Sequence, residues 1–138
     1  MPKTDRFRRQ HDQLLEVVGE ITSYLNPAAI DVNASDVARL LARLSGKLRI
    51  HLAMEDESLY PRLLKSSDPR ISATADEFIA EMGTIGVTFK SYMDTWGSAS
   101  YIKRDPNAFI SDTKELFSAL GDRINRENNE LYPIVDRM

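Results

Sequence analysis

A short stretch of this chain occurs twice, and only one copy has a histidine at its start. The first copy covers residues 51–61 and the second covers residues 123–133, with Glu, Leu, Tyr and Pro in register. His51 begins the first copy, whereas Arg123 begins the second. On a helix, His51 and Glu55 are one turn apart and project from the same face. The first copy therefore presents a pair of side chains that could bind a metal ion.

Four residues of metal-ligand type fall on stripes of otherwise apolar residues: His11, His51, Glu55 and Glu127. A carboxylate is costly to bury unless it is paired or bound to a cation. Imidazole and carboxylate ligands together suit iron, zinc and manganese. Each of these residues, considered separately, is more often structural than a metal ligand. The four together are more informative, because they lie on inward faces and at a similar height along the helices. On that basis we predict that these four side chains form a metal site.

Long helices are the elements that must position these residues. Apolar residues recur three and four positions apart in four segments, and sustained alternation typical of strands is absent from the sequence. The segments cover roughly residues 4–24, 36–64, 69–96 and 106–131. We predict one domain over residues 1–138, with an all-α fold that is an antiparallel up-and-down four-helix bundle.

Turn residues mark where these helices begin and end. Asn26-Pro27 is interpreted as the end of the first helix, and the segment 33–36 as the cap of the second. Asp68-Pro69 and Asp105-Pro106 are start signals, with a capping aspartate before a proline in the first turn. Pro61 is expected to kink the second helix or end its regular part. The third stripe is read as uninterrupted, and residues 97–106 as a flexible loop long enough to contact a partner.

The level of the four residues along the bundle also brings them together. Glu55 and Glu127 each lie four residues before a Leu-Tyr-Pro sequence, on helices that run in the same direction. His11 lies about one turn into an antiparallel helix, level with the late part of the second helix. We therefore expect the four side chains to meet near one end of the bundle. Tyr60 and Tyr132 are expected to pack at that end with their hydroxyl groups pointing outward.

Composition excludes several other classes of function. A net charge of −3 argues against a general binder of nucleic acid or of anionic membranes. The chain has no cysteine, which excludes disulfides, thiolate ligands and a thiol nucleophile. No apolar run is long enough to span a bilayer, and residues 1–5 do not resemble a signal peptide. We expect a cytoplasmic protein with no nucleic-acid or membrane partner.

The motifs at residues 11–15, 51–61 and 127–133 resemble those of hemerythrin-like, histidine-histidine-glutamate cation-binding domains. The resemblance extends over nearly the whole chain, in order and with suitable spacing. It implies an antiparallel four-helix bundle with a non-haem di-iron centre that binds or senses oxygen, nitric oxide or iron. Metal-ligand positions of that family then fall on four residues of this chain, which are His11, His51, Glu55 and Glu127.

Two other ligand positions of that family do not match. The third helix has Glu81 and Met82 where such domains usually bring a histidine, and the fourth has Arg123. Met82 is interpreted as a core residue because a thioether is a poor ligand for hard iron. Glu81 is adjacent and could turn inward as a carboxylate ligand, although its own position lies off the inward stripe. Because the chain has only two histidines, the full oxygen-carrying centre of that family cannot form.

Three hypotheses follow from these departures. In the first, one metal ion, iron or another divalent cation, is bound by the four residues and could take a small diatomic ligand. In the second, the core holds no metal, and Arg123 forms a buried ion pair with Glu127 or Glu55. The protein would then be a structural or regulatory interaction module. In the third, the metal serves a redox enzyme. The sequence offers no substrate pocket or general acid for the third, so an enzyme is the least favoured.

Overall fold

The computed structural model describes residues 3–138, and over this range the secondary structure is helical, with no strand. Two π-helical segments, Glu55–Leu59 and Glu127–Leu131, interrupt otherwise α-helical arms. The α-helices are α1 (Asp5–Thr22), α2 (Pro27–Met54), α3 (Tyr60–Leu64), α4 (Pro69–Met82), α5 (Ile85–Trp96), α6 (Ala99–Arg104), α7 (Pro106–Arg126) and α8 (Tyr132–Asp136). The prediction of an all-α fold is confirmed.

These helices form four long arms that pack as an antiparallel bundle. The arms are α1, α2 with α3, α4 with α5, and α7 with α8, and the π-helical segments lie within the second and fourth arms. Contacts between the third and fourth arms show their opposite directions, since Trp96 packs on Phe109 while Arg123 bonds to Met82. No helix within residues 3–138 is both long enough and apolar enough to cross a membrane.

The same capping device starts three of the arms. Asn26, Asp68 and Asp105 each accept a hydrogen bond from a backbone N–H of the first turn, and each is followed by proline. The start signals at Asp68 and Asp105 are confirmed. The interpretation of Asn26-Pro27 as only a helix end is wrong, because this pair opens α2. The second helix therefore begins at Pro27, not near residue 36.

A kink lies where the cap of the second helix was expected. Asn33 has φ −117° and ψ 19°, which is not helical, and its side-chain amide donates to the carbonyl of Ala29 at 2.8 Å. Such a side-chain bond to the preceding turn competes with the helical backbone pattern. The polar residues after Asn33 thus mark a bend inside α2 and not the start of a helix.

The third arm is broken, although its uninterrupted apolar stripe predicts one continuous helix. α4 ends at Met82 and α5 begins at Ile85, with Gly83 and Thr84 between them. A Cβ at Gly83 would collide with the carbonyl oxygen of Ile79, so the close approach at this break needs glycine. Because Met82 and Ile85 are three residues apart and both buried, the apolar spacing runs across the break and does not reveal it.

The prediction of a flexible loop between the third and fourth arms is wrong. Residues 99–104 form α6, which packs against α2. Ile102 in this helix is fully buried in the core. The apolar side chain of Ile102 holds the connection against the bundle, so this segment is part of the packed fold.

Two apolar cores fill the bundle, and a polar layer separates them. The larger core joins α1, α2, α5, α6 and α7, and it includes Leu44, Phe89 and Phe109. The smaller core lies at the end of the bundle formed by α3, α4 and α8, and it includes Phe78 and Leu131. The polar layer consists of five buried residues: His11, His51, Glu55, Arg123 and Glu127.

Candidate metal centre

The four residues predicted from the sequence lie together in this polar layer. His11, His51, Glu55 and Glu127 are at most 2% exposed. One ligand atom from each residue can be chosen so that all lie within 4.8 Å of one another. The cluster lies between the two apolar cores, inward from the last turn of the bundle. The helix face and the height along the bundle, both inferred from residue spacing, were therefore sufficient to predict that these four side chains lie together.

The two glutamates each begin a π-helical segment. Glu55 is followed by Pro61 and Glu127 by Pro133, and each helix continues through the proline. In a regular α-helix a proline ring clashes with the carbonyl of the preceding turn and leaves it without a donor. A π-helical turn is wider and is frequent at functional sites. The repeated Leu-Tyr-Pro sequence thus produces the same widened turn in both arms, and Pro61 does not end its helix.

The two histidine rings face one another through their Nε2 atoms, which are 3.0 Å apart. On the far side of each ring, Nδ1 contacts a side-chain amide oxygen: Asn128 Oδ1 at 2.8 Å from His11, and Gln10 Oε1 at 2.6 Å from His51. An amide oxygen only accepts, so each Nδ1 carries a proton. In neutral rings both Nε2 lone pairs then point at the same place. They repel one another unless a proton or a metal ion lies between them.

The carboxylates present one oxygen each to the histidines. Glu55 Oε1 is 3.0 Å from Nε2 of His51, and Glu127 Oε1 is 3.1 Å from Nε2 of His11. The other oxygens accept hydrogen bonds from tyrosines: Tyr132 donates to Glu55 Oε2 at 2.9 Å, and Tyr60 donates to Glu127 Oε2 at 2.8 Å. Both phenol groups are buried and point inward, so the prediction of outward hydroxyl groups is wrong.

Arg123 contacts both carboxylates from the side of the third arm. Its Nη2 donates to Glu55 Oε1 at 3.2 Å, and its Nε is 3.5 Å from Glu127 Oε2. Nη1 donates to the carbonyl of Met82 at 2.9 Å. Nε is buried without a well-aligned hydrogen-bond partner among the residues described. The expectation that Arg123 would pair with the core glutamates agrees with these contacts.

Arg123 also lies at the outer side of the polar layer, where it is 5% exposed. It lines two surface hollows of about 210 Å³ and 180 Å³ on either side of the break between α4 and α5.

The residues of the third arm that could have joined the site do not do so. Glu81 is exposed and pairs with Arg126 at the surface. Met82 packs its side chain in the smaller core, as expected, and only its backbone carbonyl contacts Arg123. The third arm therefore contributes a hydrogen-bond acceptor to the polar layer and no ligand side chain.

Opposed charges shift the pKa values of the buried groups. Burial lowers the pKa of His51, but the nearby carboxylates of Glu127 and Glu55 outweigh it and raise the pKa to about 9. Burial opposes ionisation of Glu127, yet the proximity of its carboxylate to His11 and His51 holds its pKa well below the usual range. Burial raises the pKa of Glu55 despite its bond to His51. Without a metal ion, a protonated His51 and Arg123 provide the positive charges that face these carboxylates.

The four side chains could hold a metal ion. Ligand atoms about 2.0–2.2 Å from a common ion lie roughly 3–3.5 Å from one another. The separations between neighbouring ligand atoms here are 3.0, 3.0 and 3.1 Å, and His51 Nε2 is 4.0 Å from Glu127 Oε1. Two imidazole nitrogens and two carboxylate oxygens are ligands that iron, zinc and manganese accept.

The sequence did not reveal the side chains that orient the four candidate residues. Gln10 and Asn128 hold the histidine rings, and the hydroxyl groups of Tyr60 and Tyr132 hold the carboxylates. The signal available in the sequence was weak: Gln10 adjoins His11, and Asn128 adjoins Glu127. Neither falls on an inward stripe, so periodicity did not distinguish them from surface residues.

Comparison with known proteins gives one finding. Residues 3–135 match the family model described as the hemerythrin HHE cation binding domain. Neither the curated proteins nor the solved structures gave a match. The match extends across all four arms and includes all five residues of the polar layer.

Proposed function

The chain belongs to the hemerythrin HHE cation-binding domain family, and from this premise we propose that it binds a single iron ion through His11, His51, Glu55 and Glu127. The observation that carries the proposal is the orientation of the two histidines. Their Nδ1 atoms are committed to Asn128 and Gln10, so both Nε2 atoms are left to face one point at 3.0 Å. Metal-binding histidines almost always donate their other ring N–H to an acceptor in this way.

Arg123 supports a site for one ion and not two. Its guanidinium group takes up the side of the carboxylates that faces the third arm. It brings a fixed positive charge there, where a further cation would have to compete with it. The chain has only two histidines, both already in the cluster. The residues present thus supply ligands for one metal ion, with Arg123 as a permanent countercharge.

Sensing is the role that we propose for this site. A bound iron ion would supply a centre that can change valence or take a small diatomic ligand such as oxygen or nitric oxide. The chain's own residues surround that position with two apolar cores, which exclude water. Arg123 lies where a small ligand would enter. We infer a sensor of oxygen, nitric oxide or iron.

Titration of metal-free protein tests the identity of the ion. Under anaerobic conditions, Fe²⁺ should bind once per chain, with Zn²⁺ and Mn²⁺ competing for the same site. A chain that binds none of the three ions would contradict the proposal. Binding of Zn²⁺ or Mn²⁺ without Fe²⁺ would retain the site and refute iron as its metal.

The residues that orient the histidines should affect metal affinity. Gln10→Met and Asn128→Leu remove the acceptors of the Nδ1 protons, and each should weaken Fe²⁺ binding by about 10- to 100-fold. Gln13→Met and Asn129→Leu are matched controls, since both residues are exposed nearby on the same helical arms. These controls should bind Fe²⁺ as the unaltered chain does. Equal affinity in all four variants would show that the amide groups do not orient ligands.

Metal affinity should rise with pH. A metal ion needs a neutral His51, whose pKa in the metal-free protein is raised to about 9. Binding therefore releases a proton, and below that pH the apparent affinity should increase about tenfold per pH unit. Zn²⁺ titrations between about pH 6.5 and pH 8.5 would measure the slope. A flat profile would show that the metal does not displace this proton.

A metal-free interaction module is the second candidate, and the pairing of Arg123 with the carboxylates favours it. In that state a protonated His51 stabilises the fold, because its folded pKa of about 9 exceeds the ordinary 6.5. This stabilisation is complete below pH 6.5 and is lost as the pH rises to about 9. Urea unfolding of metal-free protein should follow that trend. A chain that shows this pH dependence and binds no ion would be the metal-free module.

A further inference from the structure

We propose that the phenol oxygen of Tyr132 is a fifth ligand of the iron site. The inference rests on the proposed function. It adds a tyrosine to a site for which the sequence motifs supply only histidine and glutamate. The Tyr132 oxygen lies 3.2 Å from His11 Nε2 and 2.9 Å from Glu55 Oε2. The separation from His11 Nε2 falls in the range expected for two atoms that bind a common ion. The contact with Glu55 is to its second oxygen, Oε2, and it places the phenol beside the same carboxylate.

The repeat supplies a comparison within the same chain. Tyr60 occupies the equivalent position of the first copy, and its oxygen bonds to Glu127 Oε2 at 2.8 Å. Tyr132 makes the corresponding bond to Glu55 and, in addition, contacts a histidine nitrogen that faces the cluster. The two tyrosines therefore differ in position relative to the ligand atoms, and the geometry favours Tyr132 alone.

Packing fixes the ring of Tyr132 in this orientation. The residue is fully buried. Its ring stacks on the ring of His11 with centroids 5.2 Å apart and planes 19° apart. The ring centroid of Phe7 lies 5.9 Å from that of Tyr132, and the guanidinium carbon of Arg8 lies 5.4 Å from the Tyr132 ring centroid. A ring held on several sides keeps its oxygen beside His11 Nε2 without the entropic cost of ordering a mobile ligand.

The chemistry of a phenol agrees with a role that depends on the metal. Without a nearby cation the phenol group is a neutral donor to Glu55 Oε2 at 2.9 Å. A bound cation favours the anionic form of an oxygen ligand. On binding, the O–H bond is exchanged for an oxygen–iron bond, the proton is released to solvent, and no electron is transferred. An anionic oxygen ligand stabilises ferric over ferrous iron, so Tyr132 would lower the reduction potential of the bound iron.

Spectroscopy of the iron-loaded, oxidised protein tests the assignment. A phenolate bound to ferric iron gives a visible charge-transfer band, and excitation in that band enhances phenolate vibrations in the resonance Raman spectrum. The unaltered chain and Tyr60→Phe should both show the band. Tyr132→Phe should lose the band while it still binds iron through the other four residues, and its reduction potential should rise.

Three results would overturn the inference. The first is an iron-loaded chain whose visible spectrum lacks the band and whose Raman spectrum lacks phenolate modes, a measurement that needs no variant. The second is a band that survives in Tyr132→Phe, and the third is a band lost in Tyr60→Phe alone. Failure of the unaltered chain to bind iron would overturn the proposed function itself. Metal analysis of the same samples distinguishes that failure from loss of a fifth ligand.

Discussion

Replacement of His51 by alanine should abolish iron binding, with a loss of affinity of more than about 100-fold. Loss of a residue that only orients a ligand already costs about 10- to 100-fold, and His51 supplies a ligand atom itself. No other histidine can take its place, since the only other one is His11. Glu55→Gln should also weaken binding strongly, because a neutral amide replaces a charged oxygen. Iron content per chain after dialysis would measure both effects.

A neighbouring acidic residue provides the control for this prediction. Glu57 lies in the same π-helical segment as Glu55 but is exposed. Glu57→Gln should therefore leave the iron content unchanged. Circular dichroism of each variant would establish that the helices are intact. Undiminished iron in a folded His51→Ala variant would mean that the ion is held elsewhere, and the ligand assignment would be wrong.

Arg123→Leu should destabilise the metal-free protein by about 3–5 kcal/mol. The change removes the guanidinium group that bonds to Glu55 and contacts Glu127, and it leaves both carboxylates buried with less positive charge around them. It also removes the donor to the Met82 carbonyl at the end of α4. Breaking one side of a buried charge pair is costly because the other side keeps its desolvation penalty. Urea denaturation would measure the loss in free energy of unfolding.

Arg126→Leu is the matched control, since Arg126 lies on the same helix and also pairs with two carboxylates, those of Glu81 and Glu130. These pairs are near the surface, where solvent and salt screen them. The loss of stability should be much smaller than for Arg123→Leu. Equal effects of the two substitutions would show that Arg123 does not stabilise the polar layer through buried charge pairs.

The helices could be predicted because their apolar stripes are long and regular. The stripe of the fourth arm, from Phe109 to Leu131, is buried as its spacing predicted. Errors arose where one local signal has two meanings. Asn26-Pro27 can end one helix or open the next, and here it opens α2. Between Met82 and Ile85 the apolar spacing is the same with or without a break, so the spacing could not reveal the break between α4 and α5.

The position of the four candidate ligands could be predicted because face and level on a helix follow from residue spacing. The direction of the tyrosine hydroxyl groups could not be predicted from the sequence. Tyr60 points inward because it donates to Glu127, which is 67 residues away in the sequence and comes into contact only when the arms pack. The π-helical turns were equally hidden, since a proline in a helix usually indicates a kink or an end. Such features depend on contacts between arms and not on local sequence.

The number of iron ions per chain tests the central claim most directly. Protein produced with added iron should be freed of loosely bound metal, and its iron and protein concentrations measured on the same sample. The account predicts one iron ion per chain, bound by two histidines and two glutamates beside Arg123. Two ions per chain would contradict the role given to Arg123 as the countercharge. No bound iron would contradict the iron site itself.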